Sequence, residues 1–476
     1  MIFNSLNFAI FFLVVYLLYL AAPHKWQNRL LLIASYVFYS FWDWRFLSLI
    51  ILSTIFNYYL GIKIAEATHQ KNRKLYFWLS ICFNLGMLGF FKYFNFFAAN
   101  LSSFLGSFGW HVDGLTLNII LPLGISFYTF QAMSYPIDIN RGMIRPTRNF
   151  LDFALFITFF PLLGAGPIER ARNLLPQIEN RRDITLKRFY EGSWLFFWGL
   201  YKKILIADNL AKIANAALGT FGILSGVDTL VASYLVVFRI YADFSGYSDM
   251  ARGISRVMGF NIMANFKVPF FSVNIADFWQ RWHISLTTWI KEYLFYPLAL
   301  IRVFGKQLSA TFVIIITWAL MGFWHGPAPV FVVWGIYHGI IIVIYSRLRP
   351  YLRLINPKNI VAAKSLIALR VITIFNLFSL GILFFALERV SQVFAAWHKI
   401  FFNFGTSRLC NFDFAIWMII LLVPLFLIEY FQRKNDDEMI IFKWPALARG
   451  VVYYILLYSI IMYGNFNAQK YFYFQF

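Results

Sequence analysis

The first 22 residues, MIFNSLNFAIFFLVVYLLYLAA, contain no charged side chain, and apolar runs of similar length recur to the far end of the chain. No polar interval the size of a soluble domain separates them. A helix of roughly 20 residues is needed to cross about 30 Å of hydrocarbon, and in a bilayer a helix satisfies its backbone polar groups internally. The pattern predicts an all-α, polytopic membrane protein. Composition agrees, with 60% of the 476 residues hydrophobic and 13% charged, against about half apolar and a quarter charged in soluble domains. The length rule gives about 11 or 12 transmembrane helices in one integral-membrane domain, 1–476, with re-entrant or interfacial helices besides. Residues 1–22 lack the basic start of a cleavable signal and read as a retained first span. Later spans are expected near 190–210, 228–250, 308–323, 329–346, 363–387, 412–431 and 446–464.

A net charge of +21 would suggest nucleic acid in a soluble protein. Here the Lys and Arg fall in short loops between apolar runs, which is the positive-inside signal of a membrane protein, so no nucleic-acid partner is expected. Lys25 and Arg29 follow the first span and Lys63, Lys71, Arg73 and Lys74 the third, whereas the WDWR turn between is nearly neutral. This asymmetry predicts an outward-facing N-terminus in a cell (inner or plasma) membrane. Residues 150–168, FLDFALFITFFPLLGAGPI, conflict with a simple crossing. Arg141, Arg145 and Arg148 precede them, and Arg170, Arg172, Arg181, Arg182, Lys187 and Arg188 follow. Two basic loops on one side require an even number of crossings, and the breaks at Pro161 and Gly164–Pro167 favour a re-entrant hairpin enclosed by protein.

Of seven histidines, His24, His69, His111 and His398 fall in or near loops and need no special account. His283 lies in DFWQRWHISLTTWIKEYLFYPL, 277–298, where Trp279, His283, Leu286, Ile290 and Tyr293 recur at steps of three and four. Gln280, Arg281, Thr287, Thr288, Lys291 and Glu292 share most of the other side. The stretch reads as an amphipathic helix, either at the membrane surface with a merely hydrogen-bonded histidine or beside an aqueous cleft. His325 lies in TWALMGFWHGPAPVFVVWGIYHG, 317–339, where Gly322, Gly326, Pro327 and Pro329 break an apolar stretch between Lys306 and Arg347. Each arm is slightly short of a full crossing, which puts His325 at the tip, within or just below the outer boundary of the membrane. Two readings stand: a core histidine donating to a helix carbonyl, or a general base facing a cavity. Desolvation costs an imidazolium far more than a neutral imidazole, so such a ring remains a proton acceptor. His338, inside the following helix, reads as structural.

Metal is not expected, since no HxxxH or CxxC pair occurs. Cys82 and Cys410 are too far apart in sequence to suggest a disulfide framework. GxSxG is absent too, although ADFSGYSDMARG, 242–253, places Ser245 and Ser248 near Asp243 and Asp249. These carboxylates, with Arg239, are expected to line the polar cavity or pair with one another. The chain shows no fixed-period repeat, nor the paired interrupted segments of an inverted-repeat transporter.

Taken together, QNRLLLIASYVFYSFWDWRFL, ILPLGISFYTFQAMSYPIDINRG, FFPLLGAGPIERARNLLPQI, IYADFSGYSDMARGISRVMGF, FWQRWHISLTTWIKEYLFYPL, MGFWHGPAPVFVVWGIYHG and the closing YFYFQF resemble the membrane-bound O-acyltransferase (MBOAT) family along nearly the whole chain. The bacterial branch of alginate O-acetylation proteins is the most similar. RWHISLxxW followed about forty residues later by GxWHG carries most of that likeness. One departure is KEYLFYPLALIRVFGK, which stands where RDYLYIPLGGNR-like text is common.

The resemblance implies a ring of tilted helices around a central funnel or tunnel, with His325 and His283 matching the family's two histidines. It implies acyl transfer from a thioester donor to a hydroxyl, with cytoplasmic acetyl-CoA the expected donor substrate and no tightly bound cofactor. The acceptor would be an extracytoplasmic polysaccharide or cell-wall glycan, alginate-like exopolysaccharide being favoured, and an extracytoplasmic acetyltransferase- or esterase-like partner protein would complete delivery. Relatives also serve peptidoglycan and teichoic acid D-alanylation. On this view His325 is the general base and His283 orients the acceptor or stabilises the carbonyl oxygen. Trp324 and Trp282 wall the passage against water, while Arg281 and Lys291 meet the donor's phosphates. A transporter or flippase is the competing class, since it too needs broken helices and buried polar groups, and acylation of lipid is a third.

Overall fold

The computed structural model describes residues 1–110, 117, 119–355, 357–466, 471 and 472, which excludes His111 and most of the closing YFYFQF. Among the described residues twenty α-helices are formed. Beyond them the described residues hold three π-helical turns, a few 3-10 turns and one two-stranded hairpin. Among the described residues six stretches are long and apolar enough to cross a membrane: His24–Glu66, Gln70–Gly106, Pro329–Leu354, Ile360–Ala386, Phe412–Asn435 and Ala446–Tyr463. The protein is a multi-pass, all-helical membrane protein. Leu6–Ala21 and Ala310–His325 are shorter apolar helices of 16 residues each, about 24 Å at 1.5 Å per residue. The chain forms two compact units, 1–196 with 250–263 and 197–249 with 264–476.

In the first unit, α1 (Leu6–Ala21), α2 (His24–Asp43), α3 (Leu47–Glu66), α4 (Gln70–Leu88) and α5 (Phe94–Gly106) carry long exposed apolar faces. Next, α6 (Ile125–Asn140) is buried from Ile125 to Ile139 and packs on α3 and α4. Asn149 caps α7 (Phe150–Thr158), nine residues long or about 13 Å. That is too short to cross. From Asp152 to Ala171 every residue is buried, and α7 lies against α2, α3 and α8 (Ala171–Glu179). The stretch expected as a re-entrant hairpin is thus a short helix and turn enclosed by protein. Gly124, at φ +70°, lets the start of α6 meet this turn, because a Cβ there would stand 2.0 Å from the Leu163 carbonyl oxygen.

Two arginines assigned to a basic loop are buried instead. Arg170 is 1% exposed and donates to the Ile168 carbonyl at 2.7 Å. Arg182 donates to Tyr19 Oη and Asn28 Oδ1 at 2.7 Å and to Gln27 Oε1 at 3.0 Å. Its guanidinium also lies 4.7 Å from the centre of the Phe260 ring. Such a cation binds the ends of α1 and α2 to the chain after α8, so loop charge alone overstates the topological signal here.

The chain continues through α9 (Leu186–Tyr201), α10 (Asp208–Gly219) and α11 (Gly226–Val257). In the second unit come α12 (Ile275–Trp279), α13 (Ile284–Ile290), α14 (Tyr296–Ala299), α15 (Ala310–His325) and α16 (Pro329–Leu354), followed by α17 (Ile360–Ala386), α18 (Val390–Phe402), α19 (Phe412–Asn435) and α20 (Ala446–Tyr463). The expected spans coincide with helices, but α18 is additional and places His398 on a helix. The departure from the family's text after α14 forms a two-residue antiparallel hairpin, Arg302–Val303 with Lys306–Gln307. Phe304 and Gly305 turn it at positive φ.

Helices α15 and α16 pack as a close antiparallel pair. A Cβ on Gly322 would stand 2.1 Å from the Phe331 carbonyl oxygen, and one on Gly335 would stand 2.1 Å from that of Trp318. Gly322 therefore does not break the helix, as the sequence suggested. It brings the second arm close, and the break falls at 326–328.

Candidate active site

His325 is the last residue of α15, and extended backbone at Gly326 carries the chain to the N-cap of α16 at Ala328. Helical spacing on three elements then surrounds its ring. Met321 lies one turn earlier on α15, Trp334 one turn into α16, and Phe378, Ile382 and Phe385 share a face of α17 at steps of four and three. The edges of Trp324, Trp334 and Phe385 meet His325 with ring centroids 5.0, 5.0 and 5.1 Å away.

His283 arrives by a different route from the one its spacing predicted. The expected continuous helix over 277–298 is broken: α12 ends at Trp279, α13 begins at Ile284, and His283 between them has φ 46° and ψ 51°. Left-handed backbone is uncommon for a residue with a Cβ and costs on the order of 1–3 kcal/mol. The neighbourhood supports it. The Asn265 carbonyl accepts from Ile284 N at 2.8 Å, while its side chain accepts from Ser285 N at 3.3 Å and donates to Ser248 Oγ at 2.9 Å. Lys267 N donates to the Arg281 carbonyl at 3.0 Å. Although the helix is broken, the expected division of faces survives, with Trp279, His283, Leu286, Ile290 and Tyr293 all buried.

The two histidines line one cavity of about 20 Å³, together with Trp279, Trp282, Leu286, Thr287 and Ile240 as well as the residues around His325. His283 is 2% and His325 4% exposed. Trp324 packs against both, its ring centroid 5.0 Å from His325 and 6.3 Å from His283, but it is not among the residues that line the cavity. Room for roughly one water is less than a thioester and an alcohol need. A passage is expected at His325 from the family resemblance, and in this structure aromatic rings narrow the space there.

Helix α11 contributes one face at steps of four: Ile240 lines the cavity, Phe244 meets His283 edge to face at 4.6 Å, and Ser248 holds Asn265. Ser248 stood out in the sequence only as a hydroxyl near Asp243 and Asp249, and Ile240, Phe244, Met321, Trp334 and Phe385 were missed, although their helical spacing was visible. His338 is fully buried against Trp279 and Trp334, at 5.1 and 4.9 Å between ring centroids, and does not line the cavity.

The remaining sequence candidates have other partners. Asp243 accepts from Lys203 Nζ at 2.7 Å and from Phe472 N at 2.7 Å, and Lys203 also reaches Asp208 at 2.8 Å. Asp249 pairs with Lys202 at 2.5 Å. Both lysines stand on the π-helical turn Lys202–Ala207, whereas Arg239 binds Asn215. The carboxylates therefore pair with lysines rather than with Arg239 or each other, and neither lines the histidine cavity. Arg281 is engaged by Asp277 at 2.7 Å and by the Lys267 carbonyl at 3.2 Å. Lys291 is exposed, 5.7 Å from the centre of the Tyr296 ring.

In this multi-pass helical protein two imidazoles thus share one aromatic-walled cavity, one at a helix end and one on a turn with left-handed backbone. Among the described residues no three His, Cys, Asp or Glu side chains are grouped to hold a metal ion. The MBOAT family, membrane-bound O-acyltransferases, matches residues 37–387, and the chain belongs to that family. It is an acyltransferase. The probable alginate O-acetylase AlgI of Azotobacter vinelandii is 39% identical over 419 residues, covering 87% of this chain and 81% of that protein. The peptidoglycan O-acetyltransferase of Helicobacter pylori is 35% identical over 349 residues, 68% of this chain and 64% of that protein. The teichoic acid D-alanyltransferase of Bacillus subtilis is 31% identical over 238 residues, 48% and 60% of the two chains.

Proposed function

We propose that the protein transfers an acetyl group from cytoplasmic acetyl-CoA to hydroxyls of an extracytoplasmic, alginate-like exopolysaccharide, directly or through an extracytoplasmic partner protein. The observation that carries the chemistry is the convergence of His283 and His325 on one buried cavity. The acceptor class rests on the gradient of likeness, 39% to the alginate O-acetylase against 35% and 31% to the peptidoglycan and teichoic acid enzymes. The location is a cell (inner or plasma) membrane with the N-terminus outside, as the loop charges favour.

In the reaction, His325 takes the proton from the acceptor hydroxyl as its oxygen attacks the thioester carbonyl. A C–O bond forms, the tetrahedral intermediate carries the negative charge on the former carbonyl oxygen, and His283 donates to that oxygen. Collapse breaks the C–S bond, and the proton held by His325 accompanies the departing thiol. Burial suits each step, because a neutral imidazole tolerates it and exclusion of water limits hydrolysis of the donor. Trp282 lines the cavity and Trp324 packs against both imidazoles, which helps to exclude water from them. Rings such as Trp334 and Phe385 must change rotamer to admit an acetyl group, given the cavity's size. Lys291, exposed, keeps the capacity to meet a donor phosphate, whereas Arg281 braces the His283 turn.

The test is to supply acetyl-labelled CoA to membranes holding this protein with alginate-like polymer, peptidoglycan, teichoic acid precursors and lipid, and to follow the label. Label in the exopolysaccharide is expected. Label in peptidoglycan or lipid instead would reassign the acceptor, and movement of substrate across the membrane without transfer would favour a transporter or flippase.

A further inference from the structure

A second cavity, of about 680 Å³, opens where the last turns of α16 meet α17. It lies well away from the histidines along α16, since Trp334 and Arg349 are separated by 15 residues, about 22 Å of helix. Arg349 and Arg353, one turn apart on α16, and Arg370 on α17 all line it, with no Asp or Glu among its lining residues. Among the described residues none of these three guanidiniums forms an ion pair. Arg370 donates to the Leu352 carbonyl at 3.2 Å. The opposite character is present in the same walls, through Leu352, Leu366, Leu369 and Ile374.

Three uncompensated cations facing one space repel one another, and that cost is removed by an anion. A basic helix end acting only as a topological anchor does not explain the arrangement. Arg370 stands ten residues inside a helix long and apolar enough to cross a membrane, where a charged side chain is a functional feature by default. Arg347, also near the end of α16, does not line the cavity. The adjoining outer surfaces of the two helices are apolar, with Ile344 51%, Leu348 47%, Ile367 51% and Ile372 58% exposed.

We propose that this cavity binds the headgroup of an anionic phospholipid, the phosphate held by Arg349, Arg353 and Arg370 and the acyl chains lying along the exposed faces of α16 and α17. Charge complementarity decides for an anionic over a zwitterionic lipid. The adjoining apolar surface decides for a lipid over a soluble phosphate compound. Basic pockets between membrane helices take such headgroups, at roughly fivefold in affinity for each guanidinium.

The full chain, purified in detergent, is mixed with equal amounts of phosphatidylglycerol and phosphatidylcholine and the retained lipid is read by native mass spectrometry. Preferential retention of phosphatidylglycerol is expected, falling about fivefold for Arg349→Gln and roughly 100-fold when Arg349, Arg353 and Arg370 are all replaced by Gln. Arg347→Gln should leave retention unchanged. Equal retention of the two lipids by the unaltered protein would overturn the proposal, as would an equal loss in Arg347→Gln. Displacement of the lipid by CoA without an acyl group would also overturn it, because the cavity would then hold the nucleotide end of a thioester donor. The first and last readings need no variant, so misfolding of the triple substitution would not rescue the idea.

Discussion

Replacing Gly322 by alanine probes how the fold aims His325. The new Cβ would stand 2.1 Å from the Phe331 carbonyl oxygen, where ordinary contact begins at 3.4 Å, and 3.1 Å from Gly335 N. Both obstacles are backbone, so no side chain can swing aside, and α15 and α16 must separate by about 1 Å. Overpacking of this kind costs roughly 1–3 kcal/mol. A displacement of about 1 Å at a catalytic group lowers turnover by on the order of 100-fold, and His325 lies less than one turn beyond Gly322. The assay compares the thermal midpoint and acetyl transfer of Gly322→Ala with those of Gly86→Ala, whose added Cβ meets nothing within 4 Å. Gly322→Ala should lose both stability and turnover, whereas Gly86→Ala should keep both. Full activity in Gly322→Ala would refute the claim that this helix contact positions the histidine.

Asn265→Ala should reduce turnover 10- to 100-fold, of the order expected from losing two buried hydrogen bonds at about 1 kcal/mol each, with the donor KM little changed. Asn265→Asp, which still accepts from Ser285 N and can accept from Ser248, should recover much of it, and an inactive Asp variant beside an active Ala variant would reverse the assignment. His283→Ala should cost roughly 10² to 10³ in kcat as the donor to a developing oxyanion. A change confined to KM would make it a binding residue only. Asp243→Asn should act through stability, since breaking a buried ion pair costs about 3–5 kcal/mol. A variant with an unchanged melting midpoint and lost acceptor binding would instead return Asp243 to the substrate site.

Much of this architecture was legible because a bilayer imposes a length on apolar helices, and Gly326, Pro327 and Pro329 mark the turn that ends α15 at His325. The break at His283 was not legible. WQRWHIS contains neither Gly nor Pro, and the left-handed backbone at His283 is sustained by Asn265, 18 residues earlier in the chain. Nor could Asp243 and Asp249 be matched to Lys203 and Lys202, because that pairing depends on a π-helical turn some forty residues upstream. Arg182 looked like a loop charge since a sequence does not show that Tyr19, Gln27 and Asn28 converge on it. The histidine pair was found by motif, while its aromatic wall follows from helical faces that meet only in the folded chain.

The most direct test is single-turnover acetyl transfer from labelled acetyl-CoA by purified, reconstituted protein, comparing His325 with His325→Ala and His325→Gln at matched melting midpoints. Loss of the general base predicts a fall of roughly 10² to 10⁴ in the rate of transfer in both variants, with donor binding retained. Undiminished transfer in either folded variant would contradict the assignment of His325 as the group that takes the acceptor's proton.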